Sequence, residues 1–458
     1  MIDRLRRSSL SKPAVLVILL LVLWIPLASI QSLIAERGDA RQQASAELAQ
    51  TYAGEQVLRG PVLLLPVTER WNEDERQEGG ATRFGVPRVD TYWHAVFPER
   101  LGYVGEMTPD ERYRGIFKVL FYRYQGQVRG EFAPLDARAL RPRHPQARLD
   151  VGEPVLAISV SDLRGLQGLP EAEVAGERLR FAAPLADAGA LRGLQVPLSG
   201  AALTAWRVGQ RLPLSMALDL LGQQRLAIAP LAEDTTATLR SSWADPSFGG
   251  RFLAAERLVG DSGFEARWRV SALATDARAQ FRQRLASTTP VAEPEDSFDV
   301  RLVEPLDVYA LSGRAIKFGV LFVALVLSAV FMFEVFRRLR LHPVQYGMVG
   351  ASLALFFLMM LALSEKMRFG LAYGLAAGAS VLLLGLYFSA VLRARRHGLG
   401  VAGFVLVLYG ALYGLLLSES HALLLGACLL FAMLASLMML TRRIDWYALG
   451  ATADEAQP

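Results

Sequence analysis

Gly260-Asp-Ser-Gly263 sets a serine hydroxyl in a glycine-flanked turn, the kind of setting from which a nucleophile can attack an acyl carbon. Phe264 follows where such loops usually carry another glycine, and only His94 and His144 are at hand in that part of the chain as general bases. An ordinary turn is the better reading. A phosphate-cradling G-x-x-x-x-G-K-[ST] loop, a dinucleotide-binding glycine turn, H-E-x-x-H and C-x-x-C are all absent. With 5 histidines scattered along 458 residues a tight zinc site is not expected, and no metal, cofactor or enzymatic reaction is inferred. The polar and aromatic residues to test are interaction candidates: Arg314, Lys317, His342, Gln345, Tyr346, Glu365 and Glu419, beside long apolar runs, and Trp243, next to Pro246-Ser-Phe248 in a possible apolar loop. Each has a plainer alternative. Lys317 can snorkel outward, Glu334 can pair with Arg337 or Arg338 one turn on, and Glu365, Glu419 and His421 can be solvated loop residues.

The elements that must position these residues are mostly membrane helices. Apolar runs cover residues 14–34, 318–333, 344–363, 369–392, 399–417 and 422–440. Each approaches the roughly 20 residues that cross a bilayer core. Cations alternate in step with six crossings. They precede the first run (Arg4, Arg6, Arg7, Lys12) and follow the second (Arg337, Arg338, Arg340), fourth (Arg393, Arg395, Arg396) and sixth (Arg442, Arg443), whereas 418–421 carries no Lys or Arg. Both termini are therefore expected in the cytoplasm and the long middle segment in the periplasm. The first run lacks a clean A-x-A cleavage pattern and continues into a polar helical stretch, so an uncleaved signal anchor is favoured over a cleaved signal. No charge lies at the centre of any run, which argues against a midplane site for proton or ion coupling.

The chain is 52% hydrophobic yet 20% charged, with the charge outside the runs. The pI of about 9.4 follows from anchoring arginines, so nucleic acid is not an expected partner. The lone cysteine, Cys428, falls in the sixth run, and the exported part must hold itself together by a hydrophobic core rather than by disulfides. Residues 36–50 read as a helical stalk, with Ala40, Ala44 and Leu48 at helical spacing. Short strand-like runs follow, at 62–67, 92–97, 116–124, 156–160, 214–220 and 226–229. Leu214, Met216, Leu218 and Leu220 alternate onto one face, as do Phe264, Ala266, Trp268 and Val270, the mark of a half-buried antiparallel sheet. Residues 70–87 and 286–297 read as loops, the second as a linker descending to the membrane.

Leu361-Ala-Leu-Ser-Glu365 recurs as Leu415-Leu-Leu-Ser-Glu419, and each run concerned is preceded by a basic, His-containing loop. Either two hairpins are copies of one another, as in some transporters, or loop compositions have converged; both readings stay open. Gly370, Gly374, Gly378, Gly410 and Gly414 are spaced to let helices approach closely.

Asp307-Val-Tyr309, Arg314-Ala-Ile-Lys317, Glu334, His342-Pro-Val-Gln-Tyr346, Ser364-Glu365 and Ala372-Tyr373, closed by Thr441-Arg-Arg-Ile-Asp-Trp-Tyr447, resemble the membrane signature of the CreD inner-membrane proteins. Arg37-Gly38, Arg41, Glu47-Leu-Ala49, Gln56, Gly60-Pro61, Arg114-Gly-Ile-Phe117, Pro230-Leu231, Ser242-Trp243, Pro246-Ser-Phe248 and Gly263-Phe264 extend the likeness over nearly the whole chain. Ser420-His421 departs from the acidic or amide residue and aromatic expected there. The resemblance implies a Gram-negative inner-membrane protein tied to cell-envelope integrity, within the regulon of a sensor-kinase and response-regulator pair, and associated with colicin tolerance and, in some bacteria, β-lactam responses. It implies no reaction.

The expected architecture is a six-helix transmembrane bundle plus a large antiparallel β-rich periplasmic domain. Its parts are a cytoplasmic N-terminus (1–13), a signal-anchor helix (14–34), the periplasmic domain with its stalk (35–313), five further helices within 314–443 (about 315–336, 344–363, 369–392, 399–417 and 422–440) and a cytoplasmic tail (444–458). The expected function is support of envelope integrity and the envelope stress response, with membrane lipids and an envelope protein as partners and the oligomeric state open. The alternative is a transporter or lipid-handling protein with a path from domain to bundle.

Overall fold

The computed structural model describes residues 11–76, 82–134, 140–185, 188–287, 289, 295–304, 307–337, 341–392, 395–418 and 422–442. The chain divides into two compact units, Gln42–Pro305 and Met1–Arg41 with Leu306–Pro458. Residues 35–41 lie within a helix that runs on to Thr51, and another helix begins at Val308.

Helix α1 (Ser11–Thr51) passes from one unit to the other without a break. The strands follow: β1 (Gln56–Arg76), β2 (Thr82–Val96), β3 (Arg100–Arg114), β4 (Phe117–Phe132), β5 (Arg148–Val151), β6 (Val155–Val160), β7 (Glu171–Val174), β8 (Glu177–Arg180), β9 (Ala183–Pro184) and β10 (Gly193–Pro197). After α2 (Gly200–Arg207) come β11 (Leu212–Gln223), β12 (Arg225–Ala229), β13 (Asp234–Ser241), β14 (Pro246–Gly250), β15 (Glu256–Gly260) and β16 (Gly263–Ser271). Helix α3 (Ala277–Ala286) and β17 (Phe298–Leu302) complete the unit.

One sheet has the order β14-β17-β12-β1-β6-β10-β9, with β2 and β5 also on β1; the other runs β15-β16-β13-β3-β4-β11-β7-β8. Their facing sides share a core in which Leu58, Leu63, Ile158 and Phe298 of the first meet Tyr103, Tyr124, Leu218 and Trp268 of the second. Val62, Leu64, Leu231 and Phe281 form a smaller core between the first sheet and α3. Leu58 and Leu63 face the same side although their parity differs, because the β1–β6 register shifts between Arg59 and Val62. The alternating residues of β11 and β16 are buried as their pattern requires. The solvent face of the second sheet carries cross-strand pairs such as Arg123 with Asp219 (2.5 Å) and Arg240 with Glu265 (2.8 Å). Exposed pairs of this kind contribute at most about 1 kcal/mol each.

Three expectations need correction. The sheets are mixed, because β1 pairs with β12 and β13 with β3 in parallel. Parallel partners need long crossovers, and alternation along one strand carries no information about them. Residues 70–87 are largely strand: β1 and β2 pair from Leu63↔Val96 out to Arg76↔Thr82. This arm is half-buried or exposed along much of its length, so its composition is that of a loop although its backbone follows a ladder. Residues 286–297, expected as a linker, return to the β unit at their described end. Their described end, Glu295 to Ser297, is held in the domain, where Arg59 grips Glu295 through two nitrogens (2.7–2.9 Å), and leads into β17.

In the other unit come α4 (Val308–Lys317), α5 (Gly319–Arg337), α6 (Pro343–Ser364), α7 (Phe369–Val391), α8 (Arg395–Leu417) and α9 (Ala422–Thr441). Among the described residues four helices, α1, α6, α7 and α8, are long and apolar enough to cross a bilayer, and α4 with α5 makes a fifth if the pair, bent by 44°, counts as one span. Leu27 and Ile34 of α1, Leu311 and Ala315 of α4, and Leu353 and Phe357 of α6 share one buried core with α7 and α8.

The small-residue positions were misjudged. Among the described residues, a Cβ on Gly374, Gly378, Gly410 or Gly414 would meet nothing within 4 Å, and on Gly370 only the Tyr413 ring, its hydroxyl at 2.9 Å. Close approach occurs at Gly350, where a Cβ would fall 2.1 Å from a methyl of Leu23 on α1.

Candidate functional site

Helix α6 spans about 33 Å at 1.5 Å per residue, and polar residues gather at both of its ends. At its C-terminal end, Asp307 caps α4: one carboxylate oxygen accepts from the N–H of Tyr309 (2.9 Å) and of Ala310 (3.4 Å), and the other pairs with Arg41 of α1 (3.0 Å). Glu365, the C-cap of α6, accepts from the Tyr309 hydroxyl (3.4 Å) and lies 3.7 Å from Arg37 of α1. Two arginines and one tyrosine thus bridge α1, α4 and α6. Their chemistry is that of a clamp, since every group is held by an opposite charge or a hydrogen bond.

At the N-terminal end, Glu334 of α5 is buried and accepts from the Tyr346 hydroxyl (2.5 Å) and the N–H of Leu341 (3.2 Å). His342 caps α6, with its Nδ1 accepting from Val344 N–H (3.3 Å), while the Gln345 side-chain Oε1 accepts from His342 N–H (2.8 Å) and Pro343 opens the helix. The sequence candidates His342, Gln345 and Tyr346 therefore meet as a capping box beside a buried carboxylate. Arg314 and Lys317 lie two to three turns along α4 from Asp307, half-buried and exposed respectively. Glu419 and His421 lie outside the described residues. Trp243 is not part of a free apolar loop: it packs on the domain core, and its indole N–H donates to the carbonyls of Val303 (3.0 Å) and Asp245 (3.2 Å).

Between the two ends of α6 the bundle has a polar interior that sequence reasoning missed. The Tyr373 hydroxyl donates to the Tyr409 carbonyl (2.7 Å) and the Tyr409 hydroxyl to Ser380 (2.9 Å), with Phe322 and Phe356 against the Tyr409 ring at 4.8 and 4.4 Å. The signal was the presence of tyrosines inside apolar runs, where a hydroxyl must find a partner.

A second missed centre lies in the β unit. Glu69, fully buried on β1, accepts from Tyr92 (2.7 Å), from the backbone N–H of Arg143 (2.8 Å) and His144 (3.3 Å), and contacts His144 Nδ1 (2.9 Å). Trp71 stacks on His144 at 3.8 Å and Arg143 covers the Tyr92 ring at 3.3 Å. Burial pushes the Glu69 carboxyl up, but the donors around it outweigh that and hold it down at about 2. Burial and the adjacent carboxylate push Tyr92 up to about 12. The centre fastens a loop to the β1–β2 arm.

Ser262 occupies the two-residue turn between β15 and β16, on a hairpin whose β15 is exposed throughout. His144 is engaged with Glu69, and His94 lies in the other sheet, so no triad forms. Among the described residues no group of three or more His, Cys, Asp or Glu is placed to hold a metal ion. An open concavity of about 590 Å³ on the second sheet is lined by Gln125, Gln127, Gln167, Glu171 and Asp219, the last already paired with Arg123.

A family model described as "Inner membrane protein CreD" matches residues 8–447. The Inner membrane protein CreD of Escherichia coli (strain K12) is 35% identical over 429 residues, which is 93% of this chain and 91% of the relative. The apolar helices, the clamp and cap residues at the two ends of α6, and these two matches lead to one conclusion: the chain belongs to the CreD family of inner membrane proteins.

Proposed function

We propose that this protein supports cell-envelope integrity as a non-enzymatic, six-span inner-membrane protein, with both termini in the cytoplasm and the β unit in the periplasm. The observation that carries the reading is the clamp of Arg37, Arg41, Asp307, Tyr309 and Glu365. It joins α1, which leads into the β unit, to α4, which receives the chain from it. Force or displacement on the domain would reach the bundle through these two passages, which suits a sensor or scaffold working on lipids or on an envelope protein. A catalytic reading would need a nucleophile and a base converging in one pocket, and the polar clusters here are committed to capping and ion pairing.

The test is a charge exchange. Arg41→Asp or Asp307→Arg alone should lower survival of cells under detergent challenge at normal protein levels, and the two together should restore it. Full survival with each single variant would remove the clamp from the function.

A further inference from the structure

We infer that β15 is the seam of a homodimer: two copies of this chain join edge to edge, β15 against β15, antiparallel about a two-fold axis at Leu258. The strand ends the order of its sheet, pairs with β16 on one side alone, and is exposed at each of its five residues. Its open side carries backbone groups that call for a partner. Gly260 pairs with Gly263 across a two-residue turn, and a pair in that position exchanges both of its hydrogen bonds. Bonded pairs alternate along an antiparallel ladder, so Leu258↔Glu265 is the next. The N–H and C=O of Arg257 and Val259 are therefore directed away from β16, at the two-residue repeat that a further strand matches.

The other strands that end a sheet order are blunted. β9 has two residues, β14 opens on Pro246, and β8 is engaged at Glu177, whose carboxylate accepts from the Ala201 N–H of α2 (3.2 Å). β15 contains no proline, and it presents Leu258 at 74% and Val259 at 51% exposure.

An open edge accepts any extended chain, and the residues of this one select a copy of itself. With the axis at Leu258, Arg257 and Val259 exchange both hydrogen bonds with Val259 and Arg257 of the second copy. Leu258 then meets its own counterpart at a non-bonded pair, about 4.5 Å between Cα atoms, where side chains approach most closely. Arg257 lies across from Val259, with Asp261 of the second copy one pair further on, a diagonal that a long side chain reaches. Among the described residues neither Arg257 nor Asp261 has an ion-pair partner in its own chain, whereas the adjacent Glu256 and Arg267 pair at 3.1 Å. An axis at Arg257 would set two guanidiniums opposite each other. An axis at Val259 would leave that residue as the sole bonded pair inside the strands. The contact uses the same patch on both copies, so it closes at a dimer.

The test oxidises membranes that carry the full chain with Cys428→Ser and one introduced cysteine, and reads disulfide-linked dimer by electrophoresis. Leu258→Cys should convert most of the chain to dimer, because the Cα separation suits a disulfide. Leu273→Cys, 99% exposed and equally open to collision, should stay monomeric. Arg257→Cys and Val259→Cys should cross-link when expressed together and far less when either is alone. Val259→Pro removes an N–H that the β15–β16 ladder does not use, so the unfolding midpoint should hold while the Leu258→Cys dimer is lost. Dimer at Leu258→Cys no greater than at Leu273→Cys overturns the seam. Dimer that survives Val259→Pro, or cross-linking of Arg257→Cys alone as strong as that of Leu258→Cys, overturns strand pairing about Leu258. Should the proline lower the midpoint, the mixed cross-link between 257 and 259 decides alone, and its absence overturns the proposal.

Discussion

Glu69 is a carboxylate with no exposure to water, held below its ordinary range by a hydroxyl and by the amides of a loop about 75 residues away. Its folded-state pKa is depressed, from 4.5 to about 2, so the stability it contributes is present above about 4.5 and is lost as pH falls toward 2. Protection factors of the Arg143 and His144 amides, taken against intrinsic exchange at each pH, should therefore fall across that window in the native protein and be low at every pH in Glu69→Gln; protection unchanged by the substitution would remove Glu69 as the fastener. Tyr346→Phe takes one donor from the buried Glu334 and should lower stability by about 1–3 kcal/mol. The measure is thermal unfolding in detergent, and an unshifted midpoint would mean that the other contacts of Glu334 suffice. His342, Gln345 and Tyr346 were legible as candidates because they fall within five residues, at one helix start. The Glu69 centre was not, because its partners come from positions 23 and 75 residues away and only folding assembles them.

At the level of elements, α1 and α6 are brought together by an absent side chain. Gly350→Leu would force Leu23 aside and should lower the unfolding temperature, whereas Gly374→Ala and Gly414→Ala, whose added methyl meets no described residue, should be neutral or slightly stabilising through helix propensity. Equal losses at all three would show that glycine acts here through the backbone rather than through contact. Spacing alone pointed to the wrong glycines, because a four-residue repeat marks a helix face without saying what covers it. Alternation was a safer guide: β11 and β16 bury the residues it names. It failed for the β1–β2 arm, which lacks a consistently buried face, and for the parallel pairs, whose partners are set by topology. The break at Phe318, where the second apolar run begins, was equally hidden, since the sequence on both sides of it favours helix.

For the whole molecule, the division into an apolar helical part and a β-rich part was legible from composition and from the placement of the long runs, and family membership was legible from short motifs spread over the chain. On the function proposed above, the two parts work together through the passages of α1 and α4. Its most direct test is to express the β unit and the helical bundle as separate, correctly targeted chains in cells lacking the protein, each shown to be stable, and to measure survival under envelope stress beside the intact chain. The account predicts that the intact chain restores survival and the severed pair does not. Full restoration by the severed pair, or by the free periplasmic domain alone, would contradict it.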